Sequence, residues 1–287
     1  MASCCVKHSR EDSRRKKGKT RGKERDKMAA DPDMALLDRP EISHYIFYPR
    51  RDPQPEDDLA LYPVEVEQGI SVVCRFYPAS RGIATILYFH GNGETAGDYD
   101  LVSSLYTALE INLFVADYRG YGLSSGEPTI GHMLQDAHPI CERLKEVLRQ
   151  GGHAEALFVM GRSLGSAPAI ELAFRSQDAF KGLIVESGFS DALRLLSYIG
   201  LPLTITQPRE EGFPNGVRIR SIRIPTLLIH GAEDHLIPLR EAEELLRLCA
   251  AEEKRLVVIP RADHNTLMMM GRDRYFQAIE GFIKSNL

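Results

Sequence analysis

No stretch of this 287-residue chain is apolar for long enough to cross a bilayer, since runs such as residues 83–89 fall far short of the roughly 20 residues that a spanning helix needs. No apolar segment near the N terminus resembles a signal peptide. The five cysteines follow neither disulfide nor zinc spacing, which excludes a stapled secreted scaffold and a zinc module. Cys141 and Cys249 fall on apolar faces of predicted helices and Cys74 in a predicted strand, so buried free thiols in a reducing, cytoplasmic compartment are expected. Tryptophan is absent. The 43% hydrophobic and 26% charged shares are ordinary for a soluble globular protein and leave the substrate open.

Charge is unevenly spread. Residues 1–27 hold eleven Lys/Arg against Glu11, Asp12, Glu24 and Asp26. That segment carries +7 in a chain of net −4, which leaves −11 on residues 28–287. So basic and apolar-poor a run buries too little surface to fold alone, and residues 1–39 are expected to form a disordered basic tail ahead of one domain over 40–287. Two readings of the tail stay open. It is a solvated arm, or a start misplaced ahead of Met28 or Met34. Alternatively, Cys4 and Cys5 carry acyl chains that join the basic residues in a two-signal contact with a membrane surface. Ala2 excludes N-myristoylation. The acidic remainder speaks against a nucleic-acid partner.

The stretch 40–63, rich in Pro and charge, is expected to wrap the domain edge without regular structure, after which residues 64–67 and 71–77 flank Gln68-Gly69 as an antiparallel hairpin. Apolar runs of strand length then recur at 85–89, 112–117, 156–160, 182–186, 226–230 and 255–259. Amphipathic stretches lie between them, the pattern of a mostly parallel sheet covered by helices on both faces. Ile130, Met133, Leu134, Ala137, Ile140, Cys141, Leu144, Val147 and Leu148 repeat at three and four and mark a long helix; 239–251 and 272–286 suggest two more. Residues 188–223 break the rhythm with Pro202, Pro208, Pro214 and Asn215-Gly216, and are expected to form a small lid.

The motif most informative about chemistry is Gly161-Arg162-Ser163-Leu164-Gly165. A serine hydroxyl is a poor nucleophile unless a tight strand-to-helix turn holds it exposed beside a base, and such a turn needs small neighbours. By itself the pentapeptide is weak evidence, because about one random chain in ten of this Gly and Ser content would contain it. Its context is better: an apolar strand precedes it, and Ala167, Ala169, Ile170, Leu172, Ala173 and Phe174 follow on a helix. His90-Gly91-Asn92-Gly93 follows another strand, where a glycine-bearing turn lets main-chain N–H groups approach a developing oxyanion. The expected donors are the N–H groups of Asn92 and Leu164, with His90 bracing the loop. Asp234 follows the strand at 226–230 and His264 the strand at 255–259, so both lie past strand carboxyl ends, where open α/β sheets build their sites. Neutral His264 would take the Ser163 proton and Asp234 would fix its tautomer. Glu233, Glu186, His235 and Asp263 are rivals for these roles. No metal or cofactor is called for.

Those motifs, together with the stretch from Asp117 to Gly126 (Asp-Tyr-Arg-Gly-Tyr-Gly-Leu-Ser-Ser-Gly), resemble α/β-hydrolases of the serine aminopeptidase S33-like group. The nearest branch in resemblance contains the alpha/beta hydrolase domain-containing 17 and 13 types and Bem46-like proteins. The resemblance implies the α/β-hydrolase fold with a twisted sheet of about eight strands. It makes the stretch from Asp117 a structural loop, with Tyr118 or Arg119 at the pocket border. It also implies esterase- or thioesterase-like activity, on small molecules or on acylated proteins, because the type-17 members are linked to removing palmitate from proteins. Amide hydrolysis or acyl transfer on the same triad, and a non-catalytic binding protein on the same fold, are the alternatives.

Overall fold

The structure is a computed structural model that describes Met1, residues 37–53, 61–191, 194, 196 and 215–287. Among the described residues eight strands form one sheet: β1 (Leu61–Glu67), β2 (Ile70–Tyr77), β3 (Ala84–Phe89), β4 (Ile111–Ala116), β5 (Leu157–Arg162), β6 (Gly182–Glu186), β7 (Thr226–Gly231) and β8 (Lys254–Ile259). Their spatial order is β1-β2-β4-β3-β5-β6-β7-β8. The hairpin β1–β2 and the β2–β4 pair are antiparallel, and every pairing from β4 through β3 to β8 is parallel.

Central strands read as unbroken apolar runs because both faces are covered. Leu87, Phe89, Val159, Leu183, Val185 and Leu228 face one way. There they meet α1 (Pro40–Ile46), α3 (Ile130–Gly151), α4 (Ser166–Arg175) and α6 (Arg240–Leu248). Ile86, Tyr88, Phe158, Met160, Ile184 and Ile229 face the other way, onto α2 (Tyr99–Thr107) and α7 (Leu267–Ser285). Alternation at period two thus builds two cores on one sheet. The long helix α3 starts where the Thr129 hydroxyl accepts the His132 N–H and ends at Gly152, whose φ of +65° suits a left-handed cap. A short α5 (Asn215–Ile219) packs against α4 and α6.

Three expectations need correction. The stretch 40–63 is not devoid of regular structure. Pro40 opens the seven-residue α1, where a missing N–H costs nothing, and Ile42 and Ile46 bury its inner face. β1 also starts at Leu61 and tolerates Pro63 because it is the sheet's edge. Residues 37–39 belong to the folded part, for Leu37 is buried in the core and the Asp38 carboxylate accepts the Gly131 N–H at 2.8 Å in the first turn of α3. Residues 2–36, with Cys4 and Cys5, and most of the lid at 188–223 lie outside the described residues. Cys74, Cys141 and Cys249 are buried free thiols, and burial pushes Cys141 up to about 11. No helix among the described residues is long and apolar enough to cross a membrane.

Candidate active site

Strand β5 runs straight into the turn that carries Ser163. The residue adopts φ of +51°, a left-handed conformation that costs a non-glycine residue on the order of 1–2 kcal/mol. One 3₁₀ turn (Ser163–Gly165) leads into α4. The flanking glycines have a physical reason. A Cβ on Gly161 would overlap the Gly165 carbonyl, and a Cβ on Gly165 would overlap the Phe89 carbonyl at the end of β3. The pentapeptide is therefore the sequence trace of a helix start pressed against two strand ends.

The loops after β7 and β8 bring two further side chains to Ser163. His264 Nε2 lies 3.0 Å from Ser163 Oγ, and His264 Nδ1 lies 2.7 Å from Asp234 Oδ2. The two loops are stitched together by the Ala232 N–H to the Ile259 carbonyl and the Glu233 N–H to the Ala262 carbonyl. Ser163, His264 and Asp234 are 8%, 7% and 4% exposed, so the chain of contacts is shielded from bulk water yet touches a cavity. Asp234 Oδ1 accepts the N–H groups of Leu236 and Ile237 at 3.0 and 2.7 Å. Buried His230 donates its Nε2 proton to the Ile237 carbonyl at 2.7 Å and stands 3.4 Å from Asp234 Oδ2. Burial pushes the Asp234 carboxyl up, but His230, His264 and the Ile237 N–H outweigh it and hold the group well below the usual carboxylate range.

The rivals are elsewhere occupied. Glu233, His235 and Asp263 are exposed, and Asp263 accepts the Asn265 N–H and Thr266 hydroxyl of its own turn, each at 2.8 Å. Glu186 is buried at the end of β6, where it accepts the Tyr275 and Tyr88 hydroxyls.

The turn after β3 faces the serine. Its Asn92 side chain is spent on position: Nδ2 donates to the Ile46 carbonyl at 2.5 Å, while Oδ1 accepts the Tyr48 N–H at 3.0 Å and the Tyr121 hydroxyl at 2.6 Å. Among the described residues no hydrogen bond uses the Asn92 main-chain N–H. Asn92 and Leu164 both line the cavity with Ser163. His90 is fully buried, with Nε2 3.2 Å from Asp117 Oδ1, and its carbonyl accepts the Tyr118 hydroxyl at 2.6 Å. Burial favours the neutral ring, but Asp117 outweighs this and raises the His90 pKa. The loop from Asp117 thus braces the turn. Tyr118 and Arg119 do not border the pocket: Tyr118 packs on the His90 ring, and Arg119 forms a two-pronged pair with Asp136 at 2.8 Å.

Sequence reasoning did not find the walls of the cavity. Its volume is about 370 Å³, and Ile46, Tyr48, Ile130, Phe189, Leu236 and Ile237 give it an apolar lining. Ile46 and Tyr48 come from the stretch read as irregular, and only the Pro40-Glu41-Ile42 helix start hinted at them. Among the described residues of the lining, Arg162 and Glu94 carry formal charges, and they pair with each other at 3.1 Å. The described residues include no group of three or more His, Cys, Asp or Glu that could hold a metal ion.

An eight-stranded, mostly parallel sheet with Ser, Asp and His on the loops after β5, β7 and β8 defines the α/β-hydrolase class. Within that class the chain belongs to the serine aminopeptidase S33 family, whose model matches residues 81–197 and 217–269. It is 31% identical to the bem46 protein of Schizosaccharomyces pombe over 73% of this chain and 69% of that one. It is 30% identical to human alpha/beta hydrolase domain-containing protein 17B over 81% and 77% of the two chains. Among solved structures, the Pyrococcus furiosus esterase Pf2001 superposes with a TM-score of 0.66 at 17% identity, over 84% of this chain and 98% of that one, a likeness of fold.

Proposed function

We propose that this hydrolase-family protein cleaves carboxylic esters or thioesters, of small molecules or of acylated proteins, through an acyl-Ser163 intermediate. The observation that carries the reading is the unbroken series Ser163 Oγ, His264, Asp234, at 3.0 and 2.7 Å, opening on an apolar cavity. Neutral His264 accepts the hydroxyl proton at Nε2 as Oγ bonds to the carbonyl carbon, and buried Asp234 stabilises the imidazolium. The carbonyl oxygen becomes an anion facing the N–H groups of Asn92 and Leu164. Collapse breaks the bond to the alkoxide or thiolate, which takes the proton from His264. Water then repeats the sequence, and the acid and Ser163 are released.

Ester or thioester chemistry is favoured over aminopeptidase chemistry by the state of Glu94. A free carboxylate is the usual partner of a substrate amine, whereas the carboxylate that lines the cavity among the described residues, Glu94, is paired with Arg162 and accepts the Gly91 N–H at 2.8 Å and the Tyr99 hydroxyl at 2.9 Å. The test is labelling by a fluorophosphonate probe, competed by esters and thioesters of graded chain length, with aminoacyl amides as controls. Wild type should label and turn over the esters or thioesters, and Ser163→Ala should do neither while keeping its circular dichroism spectrum. Full activity in Ser163→Ala, or turnover confined to the amides, would overturn the proposal.

A further inference from the structure

Arg162, the residue before the nucleophile, carries a guanidinium only 12% exposed at the centre of four contacts. Nη2 donates to the His264 carbonyl and to Asn265 Oδ1, both at 3.0 Å. Nε stands 3.1 Å from Glu94 Oε1, and Nη1 stands 3.5 Å from Glu186 Oε1. Each carboxylate is held by its other oxygen. Glu94 Oε2 accepts the Gly91 N–H at 2.8 Å, inside the turn that presents Asn92. Glu186 Oε2 accepts the Tyr275 hydroxyl at 2.6 Å, and a second tyrosine, Tyr106, lies 3.1 Å from Tyr275 Oη. One planar fork thereby spans the ends of β3, β5, β6 and the loop after β8.

The geometry points to Arg162 as a positioning residue that sets the base loop, through the His264 carbonyl, and the oxyanion turn, through Glu94, at the same time. This inference rests on the acyl-serine reading. Nη2 grips the main chain of the residue that supplies the base, so a displacement of the fork moves the imidazole relative to Oγ. Nε forms a close ion pair, not a hydrogen bond, with the carboxylate that fixes Gly91, so the same displacement shifts the charge that holds Glu94 and with it the neighbouring Asn92 N–H. Reacting groups tolerate little of this, because a misplacement of about 1 Å costs on the order of 10²-fold in rate. Lysine in its place would keep the positive charge that Glu94 and Glu186 require, but a single ammonium cannot reproduce the directions of a planar fork.

The competing view is that Arg162 only neutralises buried Glu186 and so supports the fold. The two views separate when turnover is counted per fluorophosphonate-titratable site, with p-nitrophenyl butyrate as substrate and the full chain as enzyme. Arg162→Lys should lower kcat per titrated site by at least about tenfold and Arg162→Gln by about 10²-fold, each with KM within about threefold of wild type. Glu94→Gln, which keeps the side chain's shape, should lower kcat about tenfold, and combining it with Arg162→Gln should add little because both changes cut one series of contacts. Should Arg162→Gln fail to fold with Glu186 left unpaired, Arg162→Lys and its double variant with Glu94→Gln carry the comparison. Wild-type kcat per titrated site in Arg162→Lys, with only a lower Tm, would overturn the inference, as would losses that multiply in the double variant. A wild type inert to probe and ester alike would instead overturn the acyl-serine reading, and this inference with it.

Discussion

Asp234→Asn should be more damaging than deleting the side chain, for a reason built into the acid's hydrogen bonds. Oδ1 accepts the Leu236 and Ile237 N–H groups at 3.0 and 2.7 Å. Those donors need an acceptor, so the carbonyl oxygen of asparagine takes the place of Oδ1 and its NH₂ takes that of Oδ2, 2.7 Å from His264 Nδ1. Nδ1 must then accept rather than donate. The imidazole proton moves to Nε2, which presents N–H instead of a lone pair to Ser163 Oγ at 3.0 Å. Flipping the amide would set its NH₂ against two N–H donors. With the base in the wrong tautomer, the expected loss is about 10⁴-fold in kcat, or roughly 5.4 kcal/mol of transition-state stabilisation. Asp234→Ala removes the orienting group without pinning that tautomer and should retain about tenfold more activity than Asp234→Asn. The assay is p-nitrophenyl butyrate hydrolysis near neutral pH, with circular dichroism to verify folding. Asp234→Asn within tenfold of wild type, or consistently more active than Asp234→Ala, would refute the reasoning.

The same carboxylate makes stability depend on acidity. Because the folded state holds Asp234 below its usual range, its contribution is complete above the ordinary carboxylate value near 4 and is lost as pH falls through the depressed native value; Tm below about pH 4 should therefore fall more steeply in wild type than in Asp234→Asn. Arg119→Gln strands the buried Asp136 carboxylate, and urea unfolding should register a loss of about 3 kcal/mol. Leu236→Trp, at a cavity-lining position 42% exposed, should lower kcat/KM for octanoyl relative to acetyl esters by about tenfold, and an unchanged ratio would place the acyl chain against another wall.

The parallel strands are legible in the sequence because both of their faces are buried, which leaves an unbroken apolar run at 182–186 that coincides with β6. Helix α3 is legible for the complementary reason, since one buried stripe over 22 residues repeats often enough to be seen. Two shorter helices are not. α1 has only Ile42 and Ile46 to mark its inner face, and the inner face of α2 is Tyr99, Ser103 and Tyr106, which does not read as an apolar stripe. Asp234 and His264 stand out as acid and base candidates because each falls in a loop past a strand end, and the same positions could be found in any chain that keeps the strand pattern.

What supports those groups is written in no local pattern. Arg162 reaches the His264 carbonyl across 102 positions, and Asn92 reaches the Ile46 carbonyl across 46. Neither partner atom belongs to a side chain, so no choice of residue type at 264 or 46 signals the contact. The carboxylates are equally mute: Glu186 ends β6 and Asp234 lies in the loop just past β7, and what separates them is that Tyr275, Tyr88 and Arg162 surround one while His264 faces the other. Strand ends therefore bring the candidate triad positions and their rivals to notice, and the three-dimensional partners separate them. The precision of the triad depends on main-chain acceptors and buried tyrosines, so substitutions there should alter kcat while leaving every recognisable motif intact.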